Sequence, residues 1–176
     1  MLPALLRFAR RRDHGDLKAA FIRAALGGYS RSELDAWTAR FVPRLLAHGV
    51  SPDALACIVR HRAQGDVLVL MSASVDLYVP AIGRALGFAE VICTALRWNG
   101  DTLDGALAGP NCRGAEKARA LKELRGRHPG LGVTAYGNAR SDLGHLCVAD
   151  RGVLVNGSRG TRHAAERLGL TCLTWR

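Results

Sequence analysis

The chain has 176 residues, of which 48% are hydrophobic and 23% charged, a composition typical of one globular domain with a sizeable core. Its net charge of +10 favours anionic partners such as phosphorylated metabolites, acidic lipid surfaces or nucleic acid. Only 6% of the residues are aromatic, and no basic run is interleaved with aromatic side chains, so we expect no nucleic-acid surface.

The cysteines and the apolar stretches bear on where the protein works. The five cysteines are scattered and never spaced Cys-x-x-Cys, so the sequence predicts neither a disulfide framework nor a zinc site. No apolar stretch reaches the roughly 18 residues of a spanning helix. Residues 2–6 are apolar and precede a basic run, the reverse of the order in a signal peptide. We therefore expect a cytoplasmic protein with no transmembrane segment.

Helical patterns fill residues 1–64, which we expect to form a helical subdomain. Ser30–Glu33 has the composition of a capping box at the start of one helix. Ser51–Asp53, with serine ahead of proline, predicts the start of the next helix, whose buried side is predicted to consist of Leu55, Ile58 and Val59.

After Gly65, short apolar runs alternate with helical patterns, which is typical of a parallel β-sheet covered by helices. The buried run Val67–Met71 predicts the first strand, and Asn99-Gly100 predicts a β-hairpin. The other predicted elements are helices at Asp76–Leu86, Gly114–Leu124, Asp142–Cys147 and Thr161–Leu168, and strands at Glu90–Thr94, Gly132–Tyr136, Val153–Val155 and Leu170–Leu173. The sequence therefore predicts an α/β core over residues 65–176.

Two serines, Ser72 and Ser74, come after the first predicted strand, where it leads into a helix. A turn of this kind presents hydroxyl and backbone N–H groups to an anion. Serines in this position also serve as helix caps. These residues alone leave both interpretations open.

Two further segments place polar groups beside a strand or a helix start. Lys117 lies near the first turn of its predicted helix, where the dipole disfavours a cation unless an anion holds it; alternatively it is a surface lysine. Asn138 and Asp142 come after a strand and a glycine, and their oxygens could ligate a hard cation such as magnesium. Alternatively they are a turn asparagine and a helix-capping aspartate.

Taken in order, these segments resemble the haloacid dehalogenase (HAD) superfamily, in its phosphoserine-phosphatase-like branch (subfamily IB). Val69–Ser74 is similar to the second motif of that family and Ala135–Asp142 to its fourth. Its hairpin and third motif are matched by Asp104-Gly105, Gly109–Gly114 and Glu116-Lys117. The resemblance covers most of the chain. It implies a Rossmannoid three-layer parallel sheet with an N-terminal helical cap and a β-hairpin insertion.

The resemblance also implies a role for each site residue. Ser72 and Ala73 would bind the transferring phosphoryl group, and Lys117 would bind phosphate and offset negative charge. Asn138 and Asp142 would hold magnesium. The implied activity is a magnesium-dependent phosphomonoesterase.

The chain departs from the family pattern in two ways. Asn138 stands where the family has aspartate, which removes one negative charge from the metal site. The first motif, an apolar strand ending Asp-x-Asp-Gly-Thr, is absent; Asn99–Leu103 shares letters with it but lies in the hairpin. Residues 1–8 resemble the segment immediately after that motif. We therefore expect one of two situations: either this chain begins about 15–25 residues after the point where the family pattern begins, so that the first central strand is missing, or its fold is rearranged.

These departures predict an enzyme that is inactive in this form, since the nucleophilic aspartate is absent. The alternative is a non-catalytic remnant that binds a phosphorylated ligand or a protein partner. The substrate would be phosphoserine, another small phosphorylated molecule or a lipid phosphate. The lipid alternative depends on Leu2–Arg12, which is apolar and basic enough to touch an acidic membrane surface.

Overall fold

A computed structural model describes residues 14–176 of the chain. Of these, residues 14–50 and 61–112 form one compact unit, and residues 51–60 and 113–176 form the other. The division into a helical cap at 1–64 and an α/β core at 65–176 comes from the family resemblance, and it stays a prediction. The prediction about Leu2–Arg12 lies outside the described residues.

Helices and strands alternate along the chain much as the sequence predicts. In chain order they are α1 (His14–Leu26), α2 (Arg31–Gly49), α3 (Pro52–Ala63), β1 (Val69–Val75), α4 (Val79–Ala85), β2 (Glu90–Thr94), β3 (Leu96–Asn99), β4 (Thr102–Leu107), α5 (Ala115–Arg127), β5 (Thr134–Gly137), a 3-10 turn (Arg140–Asp142), α6 (Leu143–Leu146), β6 (Arg151–Val155), α7 (Arg159–Arg167) and β7 (Thr171–Leu173). None of the helices within residues 14–176 has both the length and the apolar character that crossing a membrane requires.

The first unit contains a parallel pair of strands and an antiparallel hairpin. Strands β1 and β2 pair in parallel, and β3 and β4 form the predicted hairpin around Asn99-Gly100. The predicted capping box of α2 is confirmed, because Ser30 Oγ accepts the Glu33 N–H and the Glu33 carboxylate accepts the Ser30 N–H. Four buried side chains form the core of this unit: Leu34, Val75, Leu96 and Leu103.

A glycine in β4 lets helix α1 pack closely against the hairpin. Gly105 has a φ of +83°, and a Cβ built there would lie 2.6 Å from Cα of Arg23 in α1. A side chain at position 105 would therefore force the helix away from the strand. The glycine therefore permits α1 and β4 to pack this closely.

The second unit is built on a three-stranded parallel sheet in the order β5-β6-β7. Its core cluster consists of Leu143, Leu146, Leu154 and Ala165. Ser51 caps the start of α3 as predicted, because its Oγ accepts the Ala54 N–H at 3.1 Å. The predicted buried side of α3 is wrong at two of its three residues: Leu55 and Val59 are 38% and 61% exposed, whereas Ile58 is half-buried and Cys57 is buried.

The first strand runs further than the apolar run suggests. Strand β1 ends at Val75 rather than Met71, because pairing with β2 resumes at Thr94 after an irregularity in register. Ser74 therefore lies within the strand, and helix α4 begins at Val79 after Tyr78, which makes no side-chain cap bond. The interpretation of Ser74 as a helix cap is wrong, since residues 75–78 separate it from the helix.

The pairing of both sheets fits the predicted α/β class. Among the described residues β1 pairs with β2 alone, and β5 pairs with β6 alone. Within residues 14–176, strand β1 therefore has one edge without a hydrogen-bonded strand. The missing first strand stays a prediction. The parallel strands and their intervening helices confirm the Rossmannoid architecture that the resemblance implies.

Candidate functional site

Ser72 lies where β1 leaves regular pairing. Ser72 pairs with Cys93 of β2, and the register between the two strands then shifts before Val75. Its Oγ accepts the Ser74 N–H at 3.0 Å, a local side-chain-to-backbone turn that spans Ala73 within the irregular part of the strand. A hydroxyl that accepts one hydrogen bond keeps its proton for an acceptor elsewhere. The turn therefore presents one polarised hydroxyl near the carboxyl end of a parallel strand, where open α/β sheets bind ligands.

A network of polar side chains contacts the backbone carbonyl of Ala73 in this turn. Thr94, which is 0% exposed, donates its hydroxyl to the Ala73 carbonyl at 2.9 Å and lies 3.2 Å from Asn111 Oδ1. Its Oγ also accepts the Cys112 N–H at 3.1 Å. Lys18 of α1 donates to both the Ala73 carbonyl and Asn111 Oδ1. The turn is thus fixed through its middle carbonyl.

Lys117 occupies the first turn of α5, as predicted. Its Nζ donates to Asp142 Oδ1 at 2.9 Å, and the two side chains are only 12% and 7% exposed. Asp142 is therefore the anion that holds this cation at a helix start, where the dipole would otherwise disfavour it. The interpretation of Lys117 as a solvated surface lysine is excluded by its burial.

Asp142 binds the loop that leads to it. Its Oδ2 accepts the backbone N–H groups of Asn138 and Ala139 at 3.1 and 3.0 Å. Burial acts to raise the pKa of Asp142, but the hydrogen bonds and charge of Lys117 and the loop N–H groups outweigh it and lower the pKa. The carboxylate is thus ionised at neutral pH and carries three hydrogen bonds.

Gly137 is required for this close loop. A Cβ built there would lie 2.6 Å from Cβ of Asp142, closer than two side-chain carbons approach. The strand β5 can therefore deliver the loop against Asp142 only with glycine at its last position. This is the physical reason for the glycine in the Gly-Asn-x-x-x-Asp pattern.

His145 was not singled out by the sequence. It is 4% exposed, and its Nδ1 lies 3.9 Å from Asp142 Oδ1 with no hydrogen-bond partner in the described part of the chain. Burial, and then the charge of Lys117, lowers the pKa of His145, so it is neutral beside the ion pair. Its spacing three residues after Asp142 on a predicted helix was the available signal.

Asn138 and Asp142 supply oxygen atoms of the kind that magnesium prefers. Asn138 is exposed, whereas both oxygens of Asp142 are engaged by the lysine and the loop. Residues 14–176 contain no group of three or more His, Cys, Asp or Glu side chains placed to hold a metal. The described residues thus place only these two oxygen-bearing side chains of the predicted magnesium site near each other in sequence, and their role as magnesium ligands stays a prediction.

The predicted site residues fall into two groups. Lys117 and Asp142 are in direct contact, and Asn138 is joined to Asp142 through its backbone N–H. Ser72 and Ala73 form the turn of the other compact unit. Each group has an internal hydrogen-bond network of its own.

Comparisons with known proteins agree with this geometry. The pattern of the haloacid dehalogenase-like hydrolase family matches residues 2–146. The protein CicA of Caulobacter vibrioides is 37% identical over 156 residues, covering 85% of this chain and 68% of CicA. A protein of Mycobacterium tuberculosis named as a probable phosphatase is 30% identical over 128 residues, covering 72% of this chain and 44% of that protein. The chain belongs to the haloacid dehalogenase-like hydrolase family.

Solved structures with the same fold include phosphoserine phosphatases. A protein of unknown function from Bordetella pertussis superposes with a TM-score of 0.81 at 22% identity, covering 97% of this chain and 79% of that one. A probable phosphoserine phosphatase from Vibrio cholerae gives a TM-score of 0.60 at 18% identity, covering 70% and 38%. The fold is therefore that of the phosphoserine-phosphatase-like branch of the family.

Proposed function

We propose that this chain is the phosphate-binding part of a magnesium-dependent phosphomonoesterase of the phosphoserine-phosphatase-like type. The observation that carries the proposal is the buried pair of Lys117 and Asp142, closed by the loop after Gly137. It occurs in a member of a hydrolase family and comes after Ser72 in the family order. The Lys117 ammonium has three donors, of which Asp142 accepts one, so it could also donate to a phosphate.

Each residue would have a distinct task in this function. The Ser72 hydroxyl and the turn at Ala73 would orient a phosphoryl oxygen, and the Lys117 ammonium would offset its negative charge. Asp142 would position Lys117 and, with Asn138, would contribute oxygen ligands to magnesium. Magnesium, when bound, would neutralise part of the charge of the phosphomonoester. The helices within residues 1–64 would enclose the substrate as a cap.

The nucleophile is the missing element of this proposal. The sequence contains no Asp-x-Asp, so no residue of the chain matches the family nucleophile or its acid and base partner. We therefore expect this chain to bind phosphate weakly, with a dissociation constant of about 1 mM or higher. We expect it to hydrolyse no phosphomonoester.

The proposed substrate is a small phosphomonoester such as phosphoserine, by analogy with the folds it resembles. A lipid phosphate has no support among the described residues, since Leu2–Arg12 lies outside them. The half-buried serine turn offers one hydroxyl and Lys117 offers one cation, which favours a compact phosphate group over an extended polyanion. Nucleic acid is therefore not proposed as a partner.

Titration with inorganic phosphate, monitored by amide chemical shifts and calorimetry, tests the proposal on the chain itself. Ser72→Ala is expected to weaken binding about three- to tenfold, because one hydrogen bond to a charged group is removed. Ser74→Ala is the matched control, because it keeps the backbone N–H that bonds Ser72. Equal loss in both variants, or no phosphate binding by the unmodified chain up to about 50 mM, at which even a weak site near 1 mM would saturate, would refute the proposal.

A second candidate is a non-catalytic remnant that binds a phosphorylated ligand or a protein partner. Two observations favour it, the amide of Asn138 where the family has a carboxylate and the absent nucleophile motif. The in-frame codons upstream of Met1 distinguish the two candidates. An apolar run ending Asp-x-Asp-Gly-Thr supports the enzyme, and a stop codon supports the remnant.

A further inference from the structure

The hydroxyl of Thr94 cannot by itself satisfy the groups around it. Thr94 is completely buried, and its Oγ lies within hydrogen-bond distance of two acceptors, the Ala73 carbonyl and Asn111 Oδ1. A hydroxyl has one proton and can donate to one of these acceptors at a time. Its lone pairs already receive the Cys112 N–H. One of these half-buried acceptors would thus lack a donor from the protein if Thr94 were its sole partner.

Lys18 supplies the missing donors from a distant part of the chain. Its ammonium donates to the same two acceptors, the Ala73 carbonyl and Asn111 Oδ1, across 55 and 93 residues of sequence. An ammonium carries three donors in rotatable positions, so it can serve both acceptors while Thr94 serves either. The lysine and the threonine together close a network that neither closes alone.

The network meets the serine turn at its middle residue. Ala73 lies between Ser72 and Ser74, and the bond from the Ser74 N–H to Ser72 Oγ spans it. A cation bonded to the Ala73 carbonyl fixes the orientation of the peptide plane between Ala73 and Ser74, and hence the direction of the Ser74 N–H. The position of the Ser72 hydroxyl is therefore coupled to the position of Lys18.

We propose that Lys18 is a positioning residue of the phosphate site, which locks the turn Ser72–Ser74 through the Ala73 carbonyl and Asn111. The inference rests on the proposed function, because it assigns Lys18 to the same phosphate-binding turn. Lys18 belongs to α1, which Gly105 holds close to the hairpin. The turn Ser72–Ser74 is thus ordered only when α1 is packed against the hairpin, so the packing of α1 determines whether the phosphate site is ordered.

Amide hydrogen exchange of the full chain without ligand tests the positioning role. Lys18→Met is expected to accelerate exchange of the Ser74 amide about tenfold, because a charge-assisted bond that orders the turn is lost. Lys18→Arg keeps a cation with donors and is expected to restore at least half of the protection on a logarithmic scale. Lys122→Met, at an exposed lysine of α5, is the matched control and should leave the turn unchanged.

Two outcomes would overturn the inference. Exchange at Ser74 that stays within about twofold of the unmodified chain would show that Lys18 does not order the turn. Equal acceleration at Ser74 and in strands β3 and β4 of the same unit would show general destabilisation of that unit and no positioning role. Inorganic phosphate titration separates this inference from the proposed function: a chain that binds no phosphate refutes the function, while exchange at Ser74 still decides the role of Lys18.

Discussion

Replacing Lys117 with methionine tests how much the buried ion pair contributes to the stability of the second unit. The substitution keeps the length of the side chain and removes its charge and donors. Asp142 then loses the bond from Nζ, 2.9 Å long, and stays 7% exposed as a charged group. Removing one partner of a buried pair commonly costs about 3–5 kcal/mol, because the other charge is left uncompensated.

Two features of the site reduce this cost. The Asp142 carboxylate keeps the N–H groups of Asn138 and Ala139, and Lys117 is 12% exposed, so water reaches part of the pair. We therefore expect Lys117→Met to lower the free energy of unfolding by about 2–3 kcal/mol at neutral pH. Urea denaturation monitored by circular dichroism measures this change, with Lys122→Met as the exposed control.

The pH dependence of the same variant tests the cause. Because the folded pKa of Asp142 is lowered from 3.8, the stability from the pair is present above that value and is lost as the pH falls through the folded pKa. The difference between the unmodified chain and Lys117→Met should therefore shrink below about pH 4. A cost under about 0.5 kcal/mol at neutral pH, which surface substitutions also produce, would refute the role of the pair.

Three other substitutions have distinct expected outcomes. Gly137→Ala should cost about 1–3 kcal/mol, because its Cβ would meet Asp142 at 2.6 Å, while Gly144→Ala, with no atom within 4 Å, should cost nothing in the same urea assay. Asn138→Asp should raise the magnesium affinity measured by calorimetry at least about threefold through its added charge, and an unchanged affinity would exclude position 138 as a ligand. The pKa of His145 in the folded chain is lowered from 6.5, so its neutral form stabilises the fold less and less as the pH falls below 6.5. Between about pH 6.5 and 5, the urea midpoint of His145→Gln should therefore change less with pH than that of the unmodified chain. An equal pH dependence in the two would contradict the burial of His145 as a neutral group.

Local patterns in the sequence predicted most of the architecture. The capping box at Ser30 and the hairpin at Asn99-Gly100 depend on a few adjacent residues, and both form as predicted. The end of β1 was misplaced because its last residues are held by pairing with β2, which lies some 20 residues further along the chain. The apolar run locates the strand, although Val67 is exposed and Val69–Met71 are only half-buried, and the pairing with β2 decides where the strand stops.

In the candidate site, too, contacts between residues close in sequence were predictable and contacts between distant residues were not. The loop from Gly137 to Asp142 was predictable, because its bonds span at most four residues. Lys18 was not, because its two acceptors lie 55 and 93 residues away and no motif surrounds it. Helical periodicity also failed on α3, where it marks an apolar side but does not tell which residues meet the rest of the unit.

The balance of charge around Lys117 leads to a final prediction. In this chain its ammonium is neutralised by Asp142, so an incoming phosphate must compete with a buried carboxylate for the same cation. Asp142→Asn removes that competitor and keeps an oxygen that can accept the loop N–H groups. If Lys117 binds phosphate, this variant should bind inorganic phosphate about three- to tenfold more tightly in calorimetry, an effect that salt should weaken. If Asp142 instead holds Lys117 in its only useful position, the same substitution will weaken phosphate binding, and the assignment of Lys117 as a direct phosphate ligand in the isolated chain fails.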